Sequence, residues 1–145
     1  MSGVSFVSLQ KGKPATQAAD PPAGMKLTNF TADLDDFADT AALIDNLDLV
    51  ISVDTSVAHL AGGMGKPVWL LNRFDTCWRW LLDREDSPWY PTLRQFRQPS
   101  PGDWETVVAQ VREALHRLAT GDLDQLRPPP SPTPASERRV SPSRP

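Results

Sequence analysis

The stretch Leu49–Leu71, LVISVDTSVAHLAGGMGKPVWLL, decides how this chain folds. Leu49 to Val53 is short, β-branched and apolar almost throughout. That is the pattern of a strand buried on both faces of a parallel sheet. Asp54, Thr55 and Ser56 follow at once, and each is a favoured N-cap residue. Val57 to Met64 then reads as a short helix, which Gly65 ends. Pro67 opens a further buried strand, Val68 to Leu71. A strand that feeds a capped helix and then another strand is a crossover, and it points to an α/β layer fold with a mostly parallel sheet.

Working outward, the same alternation continues. Val4 to Leu9 (VSFVSL) reads as a strand. Lys11 to Gly24 is loop-like, punctuated by Gly12, Pro14, Pro21, Pro22 and Gly24. Met25 to Phe30 suits a second short strand. Asp33 to Asn46 reads as a helix with an apolar stripe of Leu34, Phe37, Ala38, Ala41, Ala42 and Ile44. Its early acids, Asp33, Asp35 and Asp36, complement a helix N-terminus. Downstream, Leu93 to Phe96 suits another strand. Asp103 to Ala119 is an amphipathic helix on Trp104, Val107, Val108, Val111, Leu115 and Leu118, closed by Gly121. The segment Phe74 to Tyr90 holds three of the five tryptophans and has no clear period.

The chain has 145 residues, 39% of them hydrophobic, which suggests one domain. Seven of its 15 prolines lie after Arg127, in PPPSPTP and SPSRP. Residues 1–120 are therefore expected to form the folded domain, and 121–145 a proline-rich disordered tail. Such a tail either is inert or binds a proline-reading module. A net charge of −3 advertises no basic face, so no nucleic-acid partner is expected. No run of about 18 apolar residues is present, so no membrane span is expected. A single cysteine, Cys77, and a start without a basic leader suit a cytoplasmic protein.

Chemistry concentrates where the strand Leu49–Val53 meets its helix. The first turn of a helix offers free backbone N–H groups and partial positive charge, a ready anion site suited to a diphosphate. In open α/β sheets ligands bind beyond the carboxyl ends of the strands, where Asp54, Thr55 and Ser56 stand. His59, four residues after Thr55, shares its helix face and can add a donor to a bound phosphate. The same residues also read as a plain cap and a packed histidine.

Several enzyme classes are excluded. Gly62, Gly63 and Gly65 sit at a helix end, not in the strand-to-helix turn of a dinucleotide fingerprint. Gly65-Lys66 is followed by Pro67, which rules out a P-loop. No G-x-S-x-G elbow exists for a serine hydrolase. One cysteine and two histidines are too few for a zinc site.

Asp48–Leu71, DLVISVDTSVAHLAGGMGKPVWLL, closely resembles the donor-domain motif of heptosyltransferase-like glycosyltransferases. Trp78–Gln98, WRWLLDREDSPWYPTLRQFRQ, resembles the versions fused to tetratricopeptide repeats in bacteria. Phe6–Gly12 (FVSLQKG) and Asp36–Val50 (DFADTAALIDNLDLV) match the same pattern, so the resemblance covers roughly Ser5 to Leu118. It implies a Rossmann-like parallel sheet with flanking helices, the C-terminal donor half of a GT-B fold. It implies a nucleotide-diphosphate sugar as donor substrate, bound with no metal and no cofactor. Asp54, Thr55, Ser56 and His59 would contact the donor diphosphate. Ser56 stands where heptosyltransferases often have glycine, which changes how closely the backbone approaches a phosphate and leaves the sugar open.

Three further residues lie on the presumed ligand edge. Lys11, at the end of the first strand, is either a donor contact or an exposed loop lysine. Arg73 and Asp75 follow Val68–Leu71 as possible donor contacts. Trp78, Trp80 and Trp89 either stack a base or sugar or pack a core.

The resemblance also implies what to expect beyond these residues. In the resembling inverting families the catalytic base comes from an acceptor domain, for which there is no room upstream of Val4. No 34-residue repeat is present. The chain is expected to be incomplete, to begin at the second strand of its sheet and so to expose sheet edges, and to need a separate acceptor-domain or tetratricopeptide-repeat chain. The alternative is a non-catalytic remnant or interaction module with the same fold.

Overall fold

The structure, a computed structural model, describes residues 2–129. Five strands and three helices follow the expected order: β1 (Phe6–Ser8), β2 (Leu27–Asn29), α1 (Phe37–Asp45), β3 (Val50–Val53), α2 (Ser56–Gly63), β4 (Val68–Asn72), β5 (Leu93–Arg97) and α3 (Trp104–Ala119). Every ladder is parallel. The strands fall into two sheets, β1-β2 and β3-β4-β5, with helices flanking them. This is the Rossmann-like α/β layering that the alternation of elements predicts.

Strand β4 is the centre of the larger sheet. In register, Val50 faces Val68 and Val68 faces Leu93. Successive side chains of a strand point to opposite faces, and β4 is apolar on both. Val68 and Leu70 pack with Ile44 of α1, Ala58 and Ala61 of α2, and Trp80. Trp69 points the other way, onto Phe96 of β5 and Val107 and Ala114 of α3. The two helix layers therefore cover opposite faces of the sheet, and β4 reads as a continuous apolar run because it is buried between them.

Several boundaries differ from expectation, each for a local reason. Helix α1 starts at Phe37, not Asp33. The Asp36 carboxylate accepts from the N–H groups of Ala38 and Asp39 at 2.7 and 3.0 Å, while Asp39 accepts from the Asp36 N–H. This reciprocal capping box fixes the first turn. Within the segment expected to be loop, Lys13–Ala19 winds into a 3₁₀ turn with Pro14 in its first turn. On α3 the buried stripe is Val107 and Ala114 with Val111, Leu115 and Leu118 against them, while Val108 is exposed.

The largest departure is β3, which was expected to be buried on both faces. Val50 is buried, but Ile51 and Val53 are 36% and 46% exposed. The cause is topological, since β3 pairs with β4 alone and its other edge opens on a cleft.

At the C-terminal end, packing continues past residue 120. Leu123–Leu126 forms a 3₁₀ turn whose Gln125 carbonyl accepts the Trp69 indole N–H at 3.0 Å. The Gln125 side chain also accepts from Arg94 at 3.1 Å. The first residues assigned to the tail thus belong to the packed layer, held there by an indole that needs an acceptor. The rest of the expected tail, from residue 130 onward, lies outside the described residues.

Candidate functional site

The junction of β3 and α2 is built differently from the other helix starts. Helix α1 has its Asp36 capping box, and α3 is capped by Asp103, which accepts from the Thr106 N–H at 3.0 Å. Helix α2 has Thr55 at the N-cap, in the extended conformation a cap requires, yet no side chain caps it. The Thr55 hydroxyl turns back to the Ser52 hydroxyl at 3.1 Å, and Ser52 in turn donates to the Val53 carbonyl at 2.9 Å. The first-turn N–H groups are left without the side-chain acceptor such a residue normally supplies.

The His59 ring makes its contacts with Asp54, Tyr90 and Trp80. Its Nε2 lies 3.4 Å from Asp54 Oδ1, and its Nδ1 lies 2.9 Å from the Tyr90 hydroxyl. Its ring stacks on Trp80 with centroids 5.4 Å apart. A neutral imidazole can hold a proton on Nε2 toward Asp54 while Nδ1 accepts the Tyr90 O–H. A protonated ring donates on both sides. His59 and Asp54 each keep about a third of their side-chain surface exposed, at 33% and 32%, so the pair is accessible to solvent.

The groups around His59 are held by a buried polar network. Asn72, at the end of β4, donates to Gln95 at 2.8 Å and accepts from Thr76 at 2.7 Å. Gln95 then donates to the carbonyls of Trp80 and Asp86 at 2.9 and 2.7 Å. Arg97 adds donors to the carbonyls of Trp80 and Leu81, and burial lowers the pKa of its guanidinium. The segment between β4 and β5 is irregular, but these bonds give its Trp80, Leu81 and Asp86 carbonyls donors and fix Trp80 beneath His59.

The expected site residues separate into three places. Thr55 and Ser56 line a cleft of about 1170 Å³ that Lys11, just beyond β1, also lines. Lys11 is also exposed, in the loop after β1. Asp54 and His59 form their pair beside that cleft, and His59 lines a second, smaller hollow of about 250 Å³ with Trp78, Arg79, Trp80, Trp89 and Tyr90. Arg73 and Asp75 line neither. They are exposed and pair with each other at 3.5 Å. Arg73 and Asp75 are therefore not brought together with Thr55, Ser56 and His59.

The tryptophans divide as well. Trp80 is fully buried under His59. Trp78 and Trp89 are 71% and 55% exposed, and they meet edge to face with centroids 6.4 Å apart. Sequence reading missed Tyr90, Asn72 and Gln95. Tyr90 reaches His59 from the segment between β4 and β5, while Asn72 of β4 and Gln95 of β5 act through the Trp80 carbonyl.

Among the described residues no three His, Cys, Asp or Glu side chains converge as a metal site. No described helix is long and apolar enough to cross a membrane.

Comparison with known proteins adds the following. Residues 4–71 match the family model described as Glycosyltransferase family 9 (heptosyltransferase). The chain is 35% identical over 124 residues to Protein FlbA of Caulobacter vibrioides, an alignment covering 81% of this chain and 20% of that protein. The chain thus spans about a fifth of that relative's length. No solved structure matches the chain.

Proposed function

We propose that this chain, with its match to glycosyltransferase family 9, is the nucleotide-sugar-binding part of a metal-independent glycosyltransferase. The observation that carries this reading is the span of the family match, residues 4–71, which takes in Lys11, Asp54, Thr55, Ser56 and His59 together. The uncapped start of α2 supports it, because the N–H groups of that turn are suited to a diphosphate. Lys11 adds a positive charge on the same cleft.

In this reading the chain acts on the leaving group. An acceptor hydroxyl, deprotonated by a base from an acceptor-binding domain, attacks the anomeric carbon. The bond to the nucleotide diphosphate breaks and negative charge builds on the departing oxygens. The first turn of α2 at Thr55 and Ser56 stabilises that charge by fixed dipoles that need no reorganisation. His59 turns its Nε2 from Asp54 to a phosphate oxygen while Tyr90 holds Nδ1, so one ring nitrogen positions the other. The natural setting for such a donor is the cytoplasm, and the acceptor domain or repeat-bearing chain is its partner.

The test is thermal unfolding of the chain against a panel of nucleoside diphosphates and their sugars. A ligand at about 100 times its dissociation constant adds about 2.7 kcal/mol of stability. The reading expects one nucleotide class to raise Tm, with the shift lost in His59→Ala and retained in Arg73→Ala. A cooperative transition that no nucleotide moves would overturn it in favour of a non-catalytic module.

A further inference from the structure

The smaller hollow, of about 250 Å³, is separate from the cleft at Thr55 and has His59 on its wall. Its other walls are Trp78, Arg79, Trp80, Trp89 and Tyr90, all from the segment between β4 and β5 and all beyond the stretch that matches the family model. The lining is almost wholly apolar. Trp78 and Trp89 stand at 89° to each other, so their indoles form a corner. Although both rings are exposed, they are held in place. The Trp89 indole N–H donates to the Arg79 carbonyl at 2.9 Å, and its backbone N–H donates to the buried Ser87 hydroxyl at 3.2 Å. The Arg79 guanidinium lies 5.7 Å over the Trp78 ring. An aromatic corner fixed in this way has lost side-chain freedom before any ligand arrives, which favours binding.

We propose that this hollow is a subsite for one pyranose ring, the sugar that the donor nucleotide carries. The inference rests on the donor reading above and adds where the sugar goes. Size, wall chemistry and position all bear on the occupant. Pockets for drug-sized ligands run to roughly 300–1,000 Å³, so this hollow takes a single ring and not a nucleoside. The cleft of about 1170 Å³ has room for the nucleoside. The face of an indole is negative, and it attracts the C–H groups on the flat side of a pyranose, which the neighbouring oxygens polarise. The hydroxyls on the rim of that ring face water and the Arg79 guanidinium, which donates but cannot accept. A plain hydrocarbon would use the indoles and leave those donors unmet.

Position links the hollow to the start of α2. Ser56, which lines the cleft, and His59, which lines the hollow, are three residues apart on that helix, about 4.5 Å along its axis. A diphosphate covers that distance. Held at the first turn of α2, it brings its sugar beside His59, and His59 then belongs to both the phosphate site and the sugar wall. Tyr90, bonded to His59 Nδ1 at 2.9 Å, closes the wall on that side.

The experiment titrates the full chain with nucleoside diphosphates, the matching nucleotide sugars and free methyl pyranosides, and follows the indole N–H resonances of the five tryptophans. The expected result is that a nucleotide sugar moves the Trp78 and Trp89 resonances, its bare diphosphate does not, and the methyl pyranoside of the same sugar moves the same two. Trp89→Ala and Trp78→Ala, both at exposed positions, each weaken the nucleotide sugar about 2- to 10-fold more than the bare diphosphate, the worth of one aromatic contact. Leu82→Ala, exposed and outside the hollow, weakens neither. A nucleotide sugar that binds without moving either resonance overturns the subsite and leaves the donor reading standing. Movement by the bare diphosphate, or equal weakening of both ligands by the tryptophan variants, also overturns it, because the ring in the hollow is then not the sugar. Movement by pyranosides when no nucleotide binds overturns the donor as the source of the sugar. Silence from all three ligands overturns the subsite and the donor reading together.

Discussion

Gly62, on the buried face of α2, offers a sharp test of how the His59 cluster is held. A Cβ built there would lie 2.7 Å from Tyr90 Cγ and 2.8 Å from Cδ1. Carbon atoms prefer about 3.5–4.0 Å, so the Tyr90 ring must retreat by roughly 1 Å to admit a methyl group. It has little room to do so. The ring sits 6.3 Å from Trp80 between centroids, and its hydroxyl is bonded to His59. The Tyr90 carbonyl accepts from Leu93 at 3.0 Å, which anchors the backbone to the start of β5. Gly62→Ala gains about 0.5–1 kcal/mol of helix preference and loses about 1–3 kcal/mol to overpacking. The expected net effect is a loss of up to about 2.5 kcal/mol.

Gly63 is the internal control. It is exposed, its φ is not positive, and nothing lies within 4 Å of an added Cβ. Gly63→Ala is expected to gain up to about 0.5–1 kcal/mol. Denaturant unfolding of the two variants measures the contrast, and the imidazole resonances of His59 report whether the Tyr90 bond survives. Equal stabilisation by both substitutions, with unchanged His59 resonances, would refute the packing argument.

Two further predictions concern the other helix starts. Asp36→Ala removes the carboxylate that accepts two N–H groups of α1, and is expected to cost about 0.5–2 kcal/mol in urea unfolding. An unchanged midpoint would mean that the cap adds nothing to α1. The Asp103 carboxyl is held below its ordinary value of 3.8, first by the Thr106 backbone N–H and then by its hydroxyl. Its folded pKa is depressed, so its contribution is present above the unfolded value and fades as pH falls through the folded one. Asp103→Asn keeps an acceptor but cannot titrate. The stability gap between the parent chain and this variant should close on acidification, and a gap independent of pH would exclude the carboxylate as the cause.

What the residues alone determined is local and periodic. The alternation of β-branched runs with amphipathic stretches specified parallel α/β layering, because each run can bury itself in one way only. Asp-Thr-Ser after a buried strand placed a helix start beyond a strand's carboxyl end, where anions bind. The match to a family motif was also legible, since it rests on contiguous residues. Tertiary structure decided everything that depends on long-range geometry. Asp36, not Asp33, starts α1 because reciprocal bonds with Asp39 close there. Arg73 and Asp75 pair with each other in solvent and line neither hollow. His59 is claimed by Asp54, Tyr90 and Trp80, partners up to 31 positions away that no helical spacing could reveal. Even β3 is half exposed, despite an apolar sequence that reads as fully buried. Burial depends on what lies beside a strand as well as on its own residues, and on one side of β3 there is an open cleft.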